Sequence, residues 1–181
     1  MSSRDRQVPR EPRGPVSPVH VVVMGVSGTG KTTVAQALAE QLDAVFAEGD
    51  DFHSSGNVAK MSAGIPLTDD DRWPWLRDLA AWTSEQADQG TSTVMTCSAL
   101  RRVYRDLLRT GAPETFFVHL DAPEDVLLKR MGSRQHYMPT RLLRSQLDTL
   151  EPLAADEAGV TVDSTRAPVA VVAEVAAAIQ D

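Results

Sequence analysis

Gly25-Val26-Ser27-Gly28-Thr29-Gly30-Lys31-Thr32 satisfies G-x-x-x-x-G-K-[S/T] at every fixed position. Each residue type has a reason to be there. Glycines let successive backbone N–H groups turn inward and cradle phosphate oxygens. A helix starting near Lys31 adds the positive end of its dipole. Lys31 reaches the β- and γ-phosphates as a point charge, and the Thr32 hydroxyl ligates Mg²⁺. Gly25, Val26, Ser27, Gly28, Thr29, Gly30, Lys31 and Thr32 are therefore the expected nucleotide-binding residues. The motif alone does not separate a kinase from a GTPase or a motor.

A second group follows at Glu48-Gly49-Asp50-Asp51-Phe52-His53. A phosphoryl-transfer enzyme needs a carboxylate that holds and deprotonates the acceptor hydroxyl. Asp50 is the candidate. Glu48, two residues earlier, projects to the same side of an extended chain and is placed to orient Mg²⁺ through water. A solvated acidic turn is the competing reading. Taken singly, His53 reads as a structural histidine and Lys60 as a surface lysine. Arg72 lies between the acidic run 69–71 and Trp73-Pro74-Trp75-Leu76, where packing can hold it still.

These residues need a scaffold. Residues 19–24 form a β-branched run expected to be a buried strand. Residues 31–42 carry Val34, Leu38 and Leu42 every fourth position, the stripe of an amphipathic helix. Further strands are expected at 44–47, 91–96, 115–120 and 160–162. Helices are expected at 72–87, 101–109, 123–131, 140–150 and 169–179, with Pro74 in a first turn. Such alternation specifies an α/β fold with a parallel five-stranded sheet and helices on both faces. In such sheets ligands bind beyond the carboxyl ends of the strands, which gathers the phosphate loop and the acids of 48–50. Residues 1–18, rich in Pro, Arg and Ser, read as a disordered tail, and residues 19–181 as one domain.

Composition excludes several functions. The net charge is −7, and the tail contributes +2 of its own, so an acidic remainder argues against nucleic acid as a partner. No run approaches the roughly 20 apolar residues of a membrane span. The one cysteine, Cys97, rules out an internal disulfide and a cysteine-built zinc site, and suits a cytoplasmic location. Cys97 reads as a small buried hydrophobe rather than a nucleophile.

The acceptor region carries a resemblance. Gly49-Asp50, His53, Asn57, Lys60-Met61, Gly64-Ile65-Pro66-Leu67, residues 69–72 and Pro74-Trp75-Leu76 resemble the gluconokinase family. The likeness continues through Cys97-Ser98-Ala99-Leu100-Arg101, Tyr104-Arg105-Asp106, His136, Met138-Pro139, Leu142-Leu143, Ser145-Gln146 and Leu150-Glu151-Pro152. It spans about residues 20–180. Glu48 stands where an aspartate is common in the family, which leaves its part in holding magnesium open. The resemblance implies a P-loop fold of the nucleoside-monophosphate-kinase type with a small helical lid. It implies transfer of the γ-phosphoryl of ATP to the 6-hydroxyl of D-gluconate, with Mg²⁺, and a homodimer. His53, Lys60 and Arg72 would then bind the acceptor's carboxylate or hydroxyls. Ser98 and neighbouring backbone N–H groups would hold it from the third strand, with Arg101 close by.

Arg130 and Arg134 lie four apart at the end of a predicted helix and can share one face. In kinases of this architecture such a pair belongs to a lid over ATP. Arg130 would stack near adenine and Arg134 would meet the transferring phosphoryl. A solvated helix end is the plainer reading. Two rival functions also stand: a related kinase for another acceptor, such as shikimate or a nucleotide, and a non-catalytic nucleotide-binding module. Only Lys60, Arg72 and Arg77 offer positive charge between residues 50 and 95, few for a nucleotide acceptor.

Overall fold

A computed structural model describes residues 17–132 and 140–180. All but the last two residues of the expected tail fall outside that range, as does Arg134. The chain runs β1 His20–Met24, α1 Lys31–Leu42, β2 Val45–Glu48, a 3₁₀ turn Gly49–Phe52, α2 Ser55–Ser62, α3 Asp69–Asp88 and β3 Thr93–Thr96. It continues with α4 Arg102–Arg109, β4 Phe116–Asp121, α5 Glu124–Gly132, α6 Thr140–Thr149, β5 Gly159–Asp163 and α7 Pro168–Gln180.

The five strands form one parallel sheet in the order β2-β3-β1-β4-β5. Parallel strands are covered on both faces, and β1 shows it, with all five residues buried. Its side chains alternate between two cores. Val21 and Val23 pack with Val34 and Leu38 of α1 and Val171 and Val175 of α7. Val22 and Met24 pack on the other face with Trp75 and Leu79 of α3, Leu108 of α4, Leu127 of α5 and Leu143 of α6. Among the described residues no helix is long and apolar enough to cross a membrane.

Two differences from the sequence reading lie beside the site. Gly49–Phe52 form a 3₁₀ turn and Ser55–Ser62 form α2, neither of which was expected. Ser54 caps α2 by accepting from the Asn57 N–H. Asp50 is therefore in a turn, so strand alternation is not what aims it alongside Glu48. The second difference is the start of α3, three residues early. Thr68 and Asp71 make a reciprocal capping box, each side chain accepting from the other's backbone N–H. Pro74 consequently sits in the second turn of α3, where its missing N–H leaves the Asp70 carbonyl without its helical partner.

Candidate active site

The phosphate loop joins the buried end of β1 to the first turn of α1. Gly25 has φ +139, and a Cβ there would stand 2.7 Å from the Leu120 carbonyl oxygen, so only glycine fits. Gly30 precedes α1 in the left-handed conformation and offers no side-chain cap. A helix start left uncapped by side chains presents its orphan N–H groups to an anion. The loop divides two clefts. Ser27 and Lys31 line one, with Asp50, His53, Arg72 and Gln146. Gly28, Thr29 and Gly30 line the other, with Arg130, Ser164 and Arg166.

In the first cleft, Glu48 at the end of β2 is held by two hydroxyls. Thr32 Oγ1 donates to Oε2 at 2.7 Å, and Thr96 Oγ1 of β3 donates to Oε1. The Thr96 oxygen also accepts from the Gly49 N–H at 3.0 Å. Gly49 is a close-approach position: a Cβ would lie 2.0 Å from the Thr96 carbonyl oxygen. The Thr32 hydroxyl and Glu48 carboxylate form a hard oxygen pair, the donor type that suits Mg²⁺. Among the described residues no group of three or more His, Cys, Asp or Glu could hold a metal. Two protein oxygens plus water and phosphate are the usual magnesium arrangement in phosphoryl transfer.

Asp50 leaves 78% of its side chain exposed at the cleft, with Oδ1 3.8 Å from His53 Nε2. His53 is stacked on Trp75, ring centroids 4.1 Å apart. Trp75 in turn donates its indole N–H to the Gly49 carbonyl at 2.8 Å. Burial holds the His53 pKa below its ordinary value; Asp50 opposes this and Arg72 reinforces it. The ring is thus neutral at pH 7. Asn57 Nδ2 approaches its Nδ1 at 3.3 Å, and an amide NH₂ can only donate. Nδ1 therefore accepts, and the ring proton sits on Nε2, the nitrogen facing Asp50 and the cleft.

Arg72 reaches the same cleft from α3. Its Nη1 donates to Tyr104 Oη at 3.1 Å and lies 3.7 Å from Asp69 Oδ1. The Tyr104 hydroxyl donates to Asp69 Oδ1 as well, so a closed triangle fixes the guanidinium. Ser98 lines the cleft, and its carbonyl accepts from the Gly25 N–H at 3.3 Å. Cys97 is buried beside it, and burial pushes its thiol up to about 12. Such a thiol is no nucleophile. The Cys97 N–H is bonded to the Val23 carbonyl in the sheet and is not free for an acceptor.

Two expected acceptor ligands stand elsewhere. Lys60 Nζ donates to both Asp71 carboxylate oxygens at 2.8 Å and is not in the cleft wall. That pairing holds the Asp71 carboxyl down to about 2. Lys60 thus ties α2 to the start of α3. Arg101 is paired with Asp69 at 3.0 Å and Glu151 at 3.5 Å, facing a separate shallow groove. In the second cleft, Arg130 donates to the Ser164 carbonyl at 2.7 Å and the Gly28 carbonyl at 3.3 Å, linking α5, the phosphate loop and the segment after β5. Tyr104 and Gln146 stand in the sequence reading only among the residues of the resemblance, and Trp75 also as packing beside Arg72. For Tyr104 and Trp75 the available signal is a large aromatic whose polar end needs a partner when buried.

A phosphate loop on a parallel α/β sheet, with a carboxylate-bearing cleft at its side, defines a phosphoryl-transferring enzyme of the P-loop kinase class. The chain matches the family described as "AAA domain" over residues 21–153. It is 48% identical over 160 residues to a gluconokinase of Gluconobacter oxydans, covering 88% of this chain and 90% of that one. A sugar kinase from Janibacter superposes with TM-score 0.83 at 51% identity, covering 90% of this chain and 98% of that chain. A gluconokinase from Sinorhizobium meliloti superposes with TM-score 0.80 at 46% identity, covering 91% and 93%. The chain belongs to the gluconokinase family, and it is an ATP-dependent kinase.

Proposed function

We propose that this enzyme transfers the γ-phosphoryl of ATP to the 6-hydroxyl of D-gluconate, giving 6-phospho-D-gluconate and ADP. The observation that carries the reading is the shared cleft: Lys31 from the phosphate loop, Asp50 from the turn after β2 and Arg72 from α3 line one cavity. An anionic polyol with a terminal hydroxyl needs those three functions together.

Arg72, fixed by Tyr104 and Asp69, receives the gluconate carboxylate. The Nε2–H of His53 donates to a hydroxyl of the chain. Asp50 accepts the proton of the 6-hydroxyl as the oxygen–phosphorus bond forms and the bond to the β–γ bridging oxygen breaks. Lys31 and the loop N–H groups neutralise the phosphate charge that develops. Thr32 and Glu48 would hold Mg²⁺, which supplies charge neutralisation between the phosphates when bound. Arg130 borders the cleft for the nucleoside end, and Arg134 is kept as the residue that meets the transferring phosphoryl. Lys60 and Arg101 support the acceptor site through their acidic partners. A cytoplasmic location and a homodimer complete the reading, the latter resting on family membership.

An ADP-coupled assay across D-gluconate, shikimate and AMP tests it. Gluconate is expected to give turnover well above the ATPase background and the other two none. Turnover with shikimate or AMP and none with gluconate would refute the acceptor.

A further inference from the structure

The side-chain oxygen of Gln146, on α6, accepts a 2.8 Å hydrogen bond from the Ser27 backbone N–H, 119 residues away. The orientation of this amide is set by chemistry: a backbone N–H only donates, so Oε1 must face it and the NH₂ must face elsewhere. Gln146 also forms part of the acceptor cleft wall. The Ser27 bond engages Oε1 alone and leaves the NH₂ on the other side of the amide. Position along the loop matters too. Ser27 and Lys31 border the acceptor cleft, whereas Gly28, Thr29 and Gly30 border the other. Gln146 therefore touches the loop at its acceptor end, beside the place where phosphoryl transfer occurs.

We infer that Gln146 is a specificity residue. Its oxygen is anchored on Ser27 and its NH₂ donates to the secondary hydroxyl on C5 of the acceptor, next to the carbon that receives the phosphoryl group. The inference rests on the proposed gluconate reaction. A polar group aimed at a substrate hydroxyl rejects an analogue lacking that hydroxyl, because the donor is then left unpaired. The loop anchor gives the donor a fixed position, so it discriminates without a reorganisation cost.

The test is a cycle of two enzymes and two acceptors, full-length wild type and Q146M with D-gluconate and 5-deoxy-D-gluconate at saturating ATP and Mg²⁺. Q146M is expected to raise KM for gluconate about tenfold while KM for ATP stays within about twofold. Removing the C5 hydroxyl is expected to penalise wild type about tenfold and Q146M hardly at all. Q146E keeps an oxygen on Ser27 but has no donor, and it too should lose sensitivity to the C5 hydroxyl. An unchanged gluconate KM in Q146M would overturn the inference. So would an ATP KM that rises in step, the mark of a mere strut under the loop, or a C5 penalty that persists in both variants. Wild type that fails to phosphorylate gluconate would refute the acceptor assignment and this contact with it. Wild-type turnover matched by Q146M would sink the contact alone.

Discussion

Thr32 Oγ1 donates a 2.7 Å hydrogen bond to Glu48 Oε2, joining the first turn of α1 to the last residue of β2. This bond connects the phosphate loop to the strand whose continuation carries Asp50. It also pairs the two oxygens proposed to hold magnesium. Glu48→Gln keeps the size and one acceptor but removes the charge. The variant is expected to need about tenfold more Mg²⁺ for half-maximal turnover, with KM for gluconate little changed, because one charged contact to the ion or its water is lost. A Mg²⁺ titration of turnover measures it. An unaltered Mg²⁺ requirement would remove Glu48 from the metal site.

Acid should destabilise the protein in two stages. Burial holds His20, His53 and His119 below the ordinary histidine value of 6.5. The unfolded chain then binds protons at a higher pH than the folded one, so stability falls as pH drops below about 6.5. Glu157 is held down to about 2 chiefly by Arg105, and Asp71 to about 2 chiefly by Lys60. Their contribution is fully present above the unfolded values and is lost as pH falls from about 4.5 toward 2. Thermal melts from pH 7.5 to 3 are expected to show a shallow decline followed by a steeper one. Glu157→Gln should weaken the second. A melting temperature that rises between pH 6.5 and 5 would contradict the assignment.

Arg105 is fully buried, and all five of its N–H donors are placed. They reach both oxygens of Glu157 at 2.7 and 2.8 Å and the carbonyls of Ala99, Glu151 and Pro152. Ala99 has φ +44, rare for a residue with a Cβ, and this clasp holds that turn beside Ser98. Arg105→Met strands a buried carboxylate and three carbonyls. It should cost about 3 kcal/mol or more, even with Arg109 still 2.9 Å from Glu157. Urea unfolding would read this as a lowered midpoint at similar slope. A loss below about 1 kcal/mol would mean that water replaces the guanidinium.

Most of the scaffold was legible because its signals are local. The phosphate loop and α1 follow from a contiguous motif and a four-residue apolar period. All five strands match their expected positions to within a residue or two, and β1 and β3 are the clearest, as fully buried runs rich in β-branched residues. Helix α2 escaped because it is eight residues long, with one buried residue, Asn57, and no apolar stripe. The start of α3 was readable in Thr68-x-x-Asp71, yet the acidic run 69–71 reads equally well as a solvated loop. Asp50 and Arg72 reach the cleft as expected, Lys60 and Arg101 do not. Nothing local says that Lys60 will meet Asp71 or that Arg101 will meet Asp69. The 119-residue separation of Ser27 and Gln146 is longer still, and such pairings are set by topology alone.

The central claim is that Asp50 removes the acceptor proton across the cleft from Lys31, and Asp50→Asn tests it most directly. Turnover with gluconate should fall about 10²–10⁴-fold, the range for loss of a general base. ATP affinity, measured by displacement of a fluorescent nucleotide, should stay within about twofold because the substitution leaves the phosphate loop, residues 25–32, unchanged. Turnover within a few fold of wild type would contradict the account.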